Sequence, residues 1–140
     1  MKKNKVLLIG WDAADWKIIG PLLAKGQMPA LKRLIDKGVY GNMSTMNPPY
    51  SPMLWSSVAT GKTPDKHGVI GFIEVLSNMK GIRPVTVDSR KSRAIWNILH
   101  NQGYKSNLVG WWPSFPAEPI NGVIVSDKLQ KVNLDPKIKS

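Results

Sequence analysis

Lys5-Val6-Leu7-Leu8-Ile9-Gly10-Trp11-Asp12 is the stretch on which a fold assignment turns. Its apolar run does not alternate, which suits a strand covered on both faces, as in a parallel sheet. Residues 5–10 are expected to form such a strand and to end at glycine. Asp12 then falls just past the C-terminal end of the strand, at the sheet edge where open α/β folds bind ligands.

Working outward, residues 18–25 and 29–37 read as two short helices. Pro29 suits a helix start, Leu31, Leu34 and Ile35 recur at helical spacing, and Gly38 is a natural stop. Residues 39–43 are expected as a second strand. Asn47-Pro48-Pro49-Tyr50 reads as a rigid loop, 52–59 as a helix ended by Thr60-Gly61, and 68–76 as a strand or an extended loop. Residues 92–102 read as a helix, with Ile95, Ile98 and Leu99 on one face and Gly103 after it. Short strands follow at 105–110 and 122–126. Strands alternating with helices predict an α/β layered fold with a largely parallel sheet.

Composition narrows the function. The chain has 140 residues, 42% of them hydrophobic and 21% charged, the balance of a globular domain. It has no cysteine, which excludes disulfides and thiolate-bound zinc or iron–sulfur clusters. His67 and His100 are its two histidines, too few for a metal enzyme built on imidazoles alone. Met1-Lys2-Lys3-Asn4-Lys5 resembles the basic start of a signal peptide, but the apolar run behind it is too short for export or for crossing a membrane. A cytoplasmic chain without a membrane partner is expected. The formal net charge is +11. Basic residues gather at Lys2, Lys3 and Lys5, between Lys80 and Arg93, and at Lys128, Lys131, Lys137 and Lys139. They are not interleaved with aromatics, and no nucleic-acid motif accompanies them, so a solvated surface is the better reading.

Two places can carry chemistry. Asp12 offers a carboxylate at a sheet rim, able to hold a divalent cation, and equally able to cap the next helix; Asp15 reads as a helix-start charge. Ser51-Pro52 places a hydroxyl at a helix N-cap. There, unpaired N–H groups and a partial positive charge favour an ionised oxygen or a phosphate. That hydroxyl is a nucleophile if a metal stands beside it, and otherwise an ordinary cap.

Asp12 after an apolar run, and then Pro48-Pro49-Tyr50-Ser51-Pro52-Met53-Leu54-Trp55-Ser56-Ser57-Val58-Ala59-Thr60-Gly61 running on to His67-Gly68, resemble the type I phosphodiesterase / nucleotide pyrophosphatase family of the alkaline phosphatase superfamily. Thr60-Gly61-x-x-Pro64-x-x-His67-Gly68 is the most specific part. Gln27-Met28-Pro29-Ala30-Leu31 with Gly38, Ala94-Ile95-Trp96, and Pro116-Ala117-Glu118-Pro119 with Gly122 extend the resemblance over nearly the whole chain.

The resemblance implies a three-layer αβα fold, of which residues 1–140 would be the N-terminal portion. It also implies hydrolysis of small-molecule phosphate esters through a phosphoserine intermediate, with two divalent metal ions, zinc or manganese. Asp12 matches the first metal-binding aspartate, and Ser51 matches the nucleophile, whose alkoxide would share that metal. His67 matches a structural turn. Two departures stand out. Ala13 follows Asp12 where the family often has glycine, and Gly71-Phe72 occupies the region where the nucleotide pyrophosphatase branch has a phosphate-binding asparagine. The remaining metal ligands of the family have no counterpart here, so the chain is expected to be incomplete and inactive alone. Alternatives are a sister activity on the same fold (phosphomonoesterase, sulfatase or phosphotransferase) or a non-catalytic basic module that binds polyanions.

Overall fold

A computed structural model describes residues 5–76 and 80–129. The chain divides into two compact units, Met1–Ser44 and Thr45–Ser140.

The first unit is built on two helices, α1 (Trp16–Ala24) and α2 (Pro29–Lys37). Asp15 caps α1: its carboxylate accepts the Lys17 N–H at 2.8 Å. Such a cap contributes about 1 kcal/mol. Pro29 begins α2, where its missing N–H costs nothing, and Lys32 pairs with Asp36 one turn on. Ile19 is buried, and Trp16 packs on Tyr40 with ring centroids 5.5 Å apart. Residues 5–10 and 39–43 form no strand, contrary to expectation. Val6 is 91% exposed and Val39 wholly so. A strand exists only through the backbone of a neighbour, and no ladder joins these two apolar runs. Asp12 consequently lies in a turn rather than at a sheet rim.

The second unit holds α3 (Ser51–Thr60), α4 (Pro64–His67), β1 (Ile73–Val75), β2 (Ile82–Pro84), a short 3-10 turn at Val87–Ser89, α5 (Ile95–Asn101), β3 (Ser106–Val109) and β4 (Gly122–Val125). β1 and β2 pair antiparallel from Ile73↔Pro84 to Val75↔Ile82, with Glu74 bridging to Arg83 directly opposite. β3 and β4 pair parallel from Ser106↔Gly122 to Val109↔Val125. Gly122 allows that register: a Cβ on it would stand 1.8 Å from the Ser106 carbonyl oxygen.

The fold is therefore mixed α/β with two small sheets. Among the described residues there is no large parallel sheet. The expected strands at 105–110 and 122–126 form because α5 and the tryptophans cover them. Ala59, Ala94 and Trp96 make the buried centre, with Leu108, Trp111, Ile120 and Ile124 packed on it. Trp111 meets Trp55 and Trp96 edge-on, at 5.3 and 5.8 Å between centroids. The tryptophans at 55, 96 and 111 thus serve packing, as aromatic pairs do when their edges meet ring faces. α5 begins at Ile95, later than the periodicity alone predicts, because Asn97 Oδ1 accepts the Ala94 N–H at 2.8 Å and fixes the start there. No helix among the described residues is long and apolar enough to cross a membrane.

Candidate active site

Ser51 stands at the first residue of α3, one place inside the N-cap position expected for it; Tyr50 is the cap. The correction follows from backbone bonding, since the Leu54 N–H reaches the Tyr50 carbonyl at 3.0 Å. Pro52 comes next and has no N–H, so the donors of the first turn are those of Ser51 and Met53. The positive end of the helix still falls at Ser51, which is half-buried, on a turn made rigid by buried Pro52 and Met53.

The far end of α3 explains the Thr60-to-Gly68 signature. The Thr60 hydroxyl donates back to the Ser56 carbonyl at 2.7 Å and accepts the Lys62 N–H at 3.2 Å. Gly61 closes α3 in the left-handed conformation, Pro64 opens α4, and Gly68 closes α4 with φ +81°. A Cβ on Gly68 would come within 3.0 Å of the Lys91 side chain.

His67 is fully buried between these turns. Its Nδ1 accepts the Val69 N–H at 3.1 Å, and its Nε2 lies 2.8 Å from Ser57 Oγ. Ser57 Oγ in turn donates to the Met53 carbonyl at 2.9 Å. Only one tautomer satisfies all three bonds: Nε2 carries the proton and gives it to Ser57, and Nδ1 is the acceptor. Burial holds the imidazole below its ordinary pKa; Asp65 opposes this and Arg90 reinforces it. Because Nε2 already carries its proton, His67 is not the base of a serine–histidine pair. The expectation of a structural turn agrees with this geometry.

The signature therefore builds a scaffold rather than a catalytic group. Ser51 lies nine residues before Thr60, about 14 Å along the helix axis at 1.5 Å per residue.

A second scaffold joins two further motifs. Glu118 accepts from Arg90 Nη2 at 2.8 Å, from Trp96 Nε1 at 2.7 Å and from Asn97 Nδ2 at 3.0 Å. The Arg90 side chain is only 4% exposed and lies over the Trp96 ring at 5.1 Å. Arg90 and Glu118 neutralise each other at the wall of a cleft of about 620 Å³, which Lys91, Arg93 and His100 also line. Asp127 is likewise committed, accepting the Ser114 N–H at 2.8 Å.

Asp12 is exposed and belongs to the first unit, whereas Ser51 belongs to the second. Asp15, not Asp12, caps α1. The turn at Asp12 places Ala13 at φ +55°, a left-handed conformation that favours glycine. The backbone thus adopts a turn suited to glycine even though alanine occupies it.

Sequence reasoning missed Ser57 as the partner of His67, the Arg90–Glu118–Asn97 cluster, and a run of rings from Tyr50 through Phe72 to Trp112. A hydroxyl ten residues before a histidine carries no signal until a turn brings the two together. The Ala94-Ile95-Trp96 and Pro116-to-Pro119 motifs were visible, but their meeting at Glu118 was not.

A family model described as Type I phosphodiesterase / nucleotide pyrophosphatase matches residues 6–137. The chain belongs to this family. The family implies an alkaline-phosphatase-like fold, whereas the described residues form two small sheets and no large parallel one. No curated protein and no solved structure gave a match.

Proposed function

We propose that the chain carries the nucleophile of a phosphoric-ester hydrolase of phosphodiesterase or pyrophosphatase type, and that Ser51 is that nucleophile. The supporting observation is the position of Ser51 at the positive end of a ten-residue helix, the other end of which is fixed by the family signature. In the first step the Ser51 oxygen bonds to phosphorus, and the serine proton passes to solvent. The ester P–O bond breaks, and its electron pair leaves on the alcohol oxygen, which takes up a proton. Water then attacks the serine-bound phosphoryl group, freeing the phosphate monoester that carries the remaining ester substituent and restoring the hydroxyl. Main-chain donors of the first helical turn stabilise charge on a phosphoryl oxygen.

Family members are typically metal-dependent, and a metal would supply activation of the hydroxyl. Asp12 and Ser51 offer oxygen donors that suit zinc or manganese. A two-metal centre needs more, and among the described residues no three His, Cys, Asp or Glu side chains gather. These residues do not make a two-metal centre by themselves. The reading therefore requires further carboxylate or imidazole ligands beyond them, with the chain as the N-terminal portion of the catalytic domain.

The test is a metal-dependent assay on the longest natural form of the protein, with a small phosphodiester as substrate. Ser51→Ala should lower turnover by on the order of a thousandfold or more, and Asp12→Asn should lower metal affinity. Unchanged activity in Ser51→Ala would end the assignment.

A further inference from the structure

We infer that the cleft beside Arg90 and Glu118 is a binding site for a small molecule bearing an oxyanion, which Arg90 Nη1 and the second N–H of the Asn97 side-chain amide receive. The cleft, of about 620 Å³, has the size of a small-molecule site. None of the residues that line it belongs to α3, so the inference does not depend on Ser51.

Donors and acceptors on the cleft wall are used unevenly. One oxygen of Glu118 accepts from Arg90 Nη2 and Asn97 Nδ2, and the other from Arg90 Nη2 and Trp96 Nε1. Each carboxylate oxygen thus takes two bonds, which fills its lone pairs. Asn97 Oδ1 is filled in the same way, by Arg90 Nη2 at 3.1 Å and the Ala94 N–H at 2.8 Å. The donors are not exhausted. Arg90 Nε donates to the Ser92 carbonyl at 2.9 Å, and Nη2 is occupied by Glu118 and Asn97. Nη1 makes no hydrogen bond among the described residues. Asn97 Nδ2 gives one proton to Glu118 and keeps the other. The Arg90 side chain is more than nine-tenths buried. Even so, Nη1 is not sealed: among the described residues the enclosed side-chain atoms without a partner are Ser56 Oγ, Thr86 Oγ1 and Ser106 Oγ. Because Arg90 lines the cleft, Nη1 opens into it.

A wall with N–H groups left over and its acceptors filled selects an acceptor. Charge points the same way. Arg90 and Glu118 cancel, and Lys91 and Arg93 then face one further carboxylate in the lining, that of Asp88. The planar fork of a guanidinium suits a carboxylate or a phosphoryl group, and both share the chemistry required here. Arg90 is also held in advance, by Glu118 and by the Trp96 ring beneath it at 5.1 Å, so it loses little freedom when a ligand arrives.

The experiment is NMR titration of the full chain with inorganic phosphate, with succinate and with succinamide, the uncharged counterpart of succinate, at fixed ionic strength. The reporters are the Arg90 guanidinium N–H signals and the Asn97 side-chain amide. Saturable shifts of both reporters with phosphate, with succinate or with both, and none with succinamide, are expected. Succinate acting alone marks the ligand as a carboxylate, and phosphate acting alone marks it as a phosphoryl compound. Arg93→Glu reverses an exposed charge in the lining and should weaken binding by about tenfold or more. Arg90→Met with Glu118→Gln should abolish the shift at Asn97, with circular dichroism confirming the fold. Arg93→Glu carries the test if the buried pair does not tolerate exchange. Absence of a saturable shift with both anions, equal shifts with succinamide, or an affinity unchanged by Arg93→Glu overturns the site.

Discussion

Ser57 Oγ lies 2.8 Å from His67 Nε2, and this contact ties α3 to the turn that follows it. Ser57 and His67 are thereby both committed to holding α3 and the following turn together.

Ser57→Ala should destabilise the second unit by about 1–3 kcal/mol, because the His67 N–H would be left buried without an acceptor. Urea denaturation reads the change. A midpoint equal to that of the parent would show that water replaces the serine at no cost.

Stability should also depend on pH through His67. Its folded pKa lies below the ordinary value of about 6.5. Above the ordinary value the imidazole is neutral in both folded and unfolded chains, and the stabilisation is fully present. As pH falls from there toward the folded pKa, the unfolded chain binds the proton first. Stability then drops by at most about 1.4 kcal/mol per pH unit. Comparing the chain with His67→Gln isolates this contribution; parallel pH profiles for the two would refute it.

Glu118→Gln should cost about 3–5 kcal/mol, since it strands the Arg90 charge in a buried position. Thermal unfolding should show the loss, and Arg90→Met with Glu118→Gln should recover part of it. If the single variant melts with the parent, Arg90 is adequately hydrated from the cleft.

Ala13→Gly should stabilise the first unit. A left-handed alanine costs about 1–2 kcal/mol, and glycine gives back roughly 0.5–1 of that through the freedom of the unfolded chain. A net gain of about 0.5–1 kcal/mol is expected, measured by hydrogen exchange of the α1 amides. A loss would mean that the turn at Asp12 is not held as described.

Much of the molecule was legible before any coordinates. Local rules sufficed for α2, with its starting proline and terminal Gly38, and for α3, expected over 52–59 and found with one added residue at each end, Ser51–Thr60. They sufficed for Asp15 at the start of α1 as well, whereas the structural role of His67 came from the family resemblance. Each of the local rules depends on residues within about a turn of one another, where backbone sterics and a few hydrogen bonds decide the outcome.

The failures share one cause. Residues 5–10 and 39–43 have the composition of strands, but a strand is a relation between two chain segments, and hydrophobicity alone does not supply the second. The same holds for the site. The sequence by itself determined the family, a helix over 52–59 headed by the Ser51 hydroxyl, and the carboxylate at Asp12. Only the tertiary structure decided that the signature residues are scaffold, that Glu118 gathers Arg90, Trp96 and Asn97, and that Phe72 meets both Tyr50 and Trp112. Those contacts join residues far apart along the chain, and their energies exist only once the intervening loops have closed.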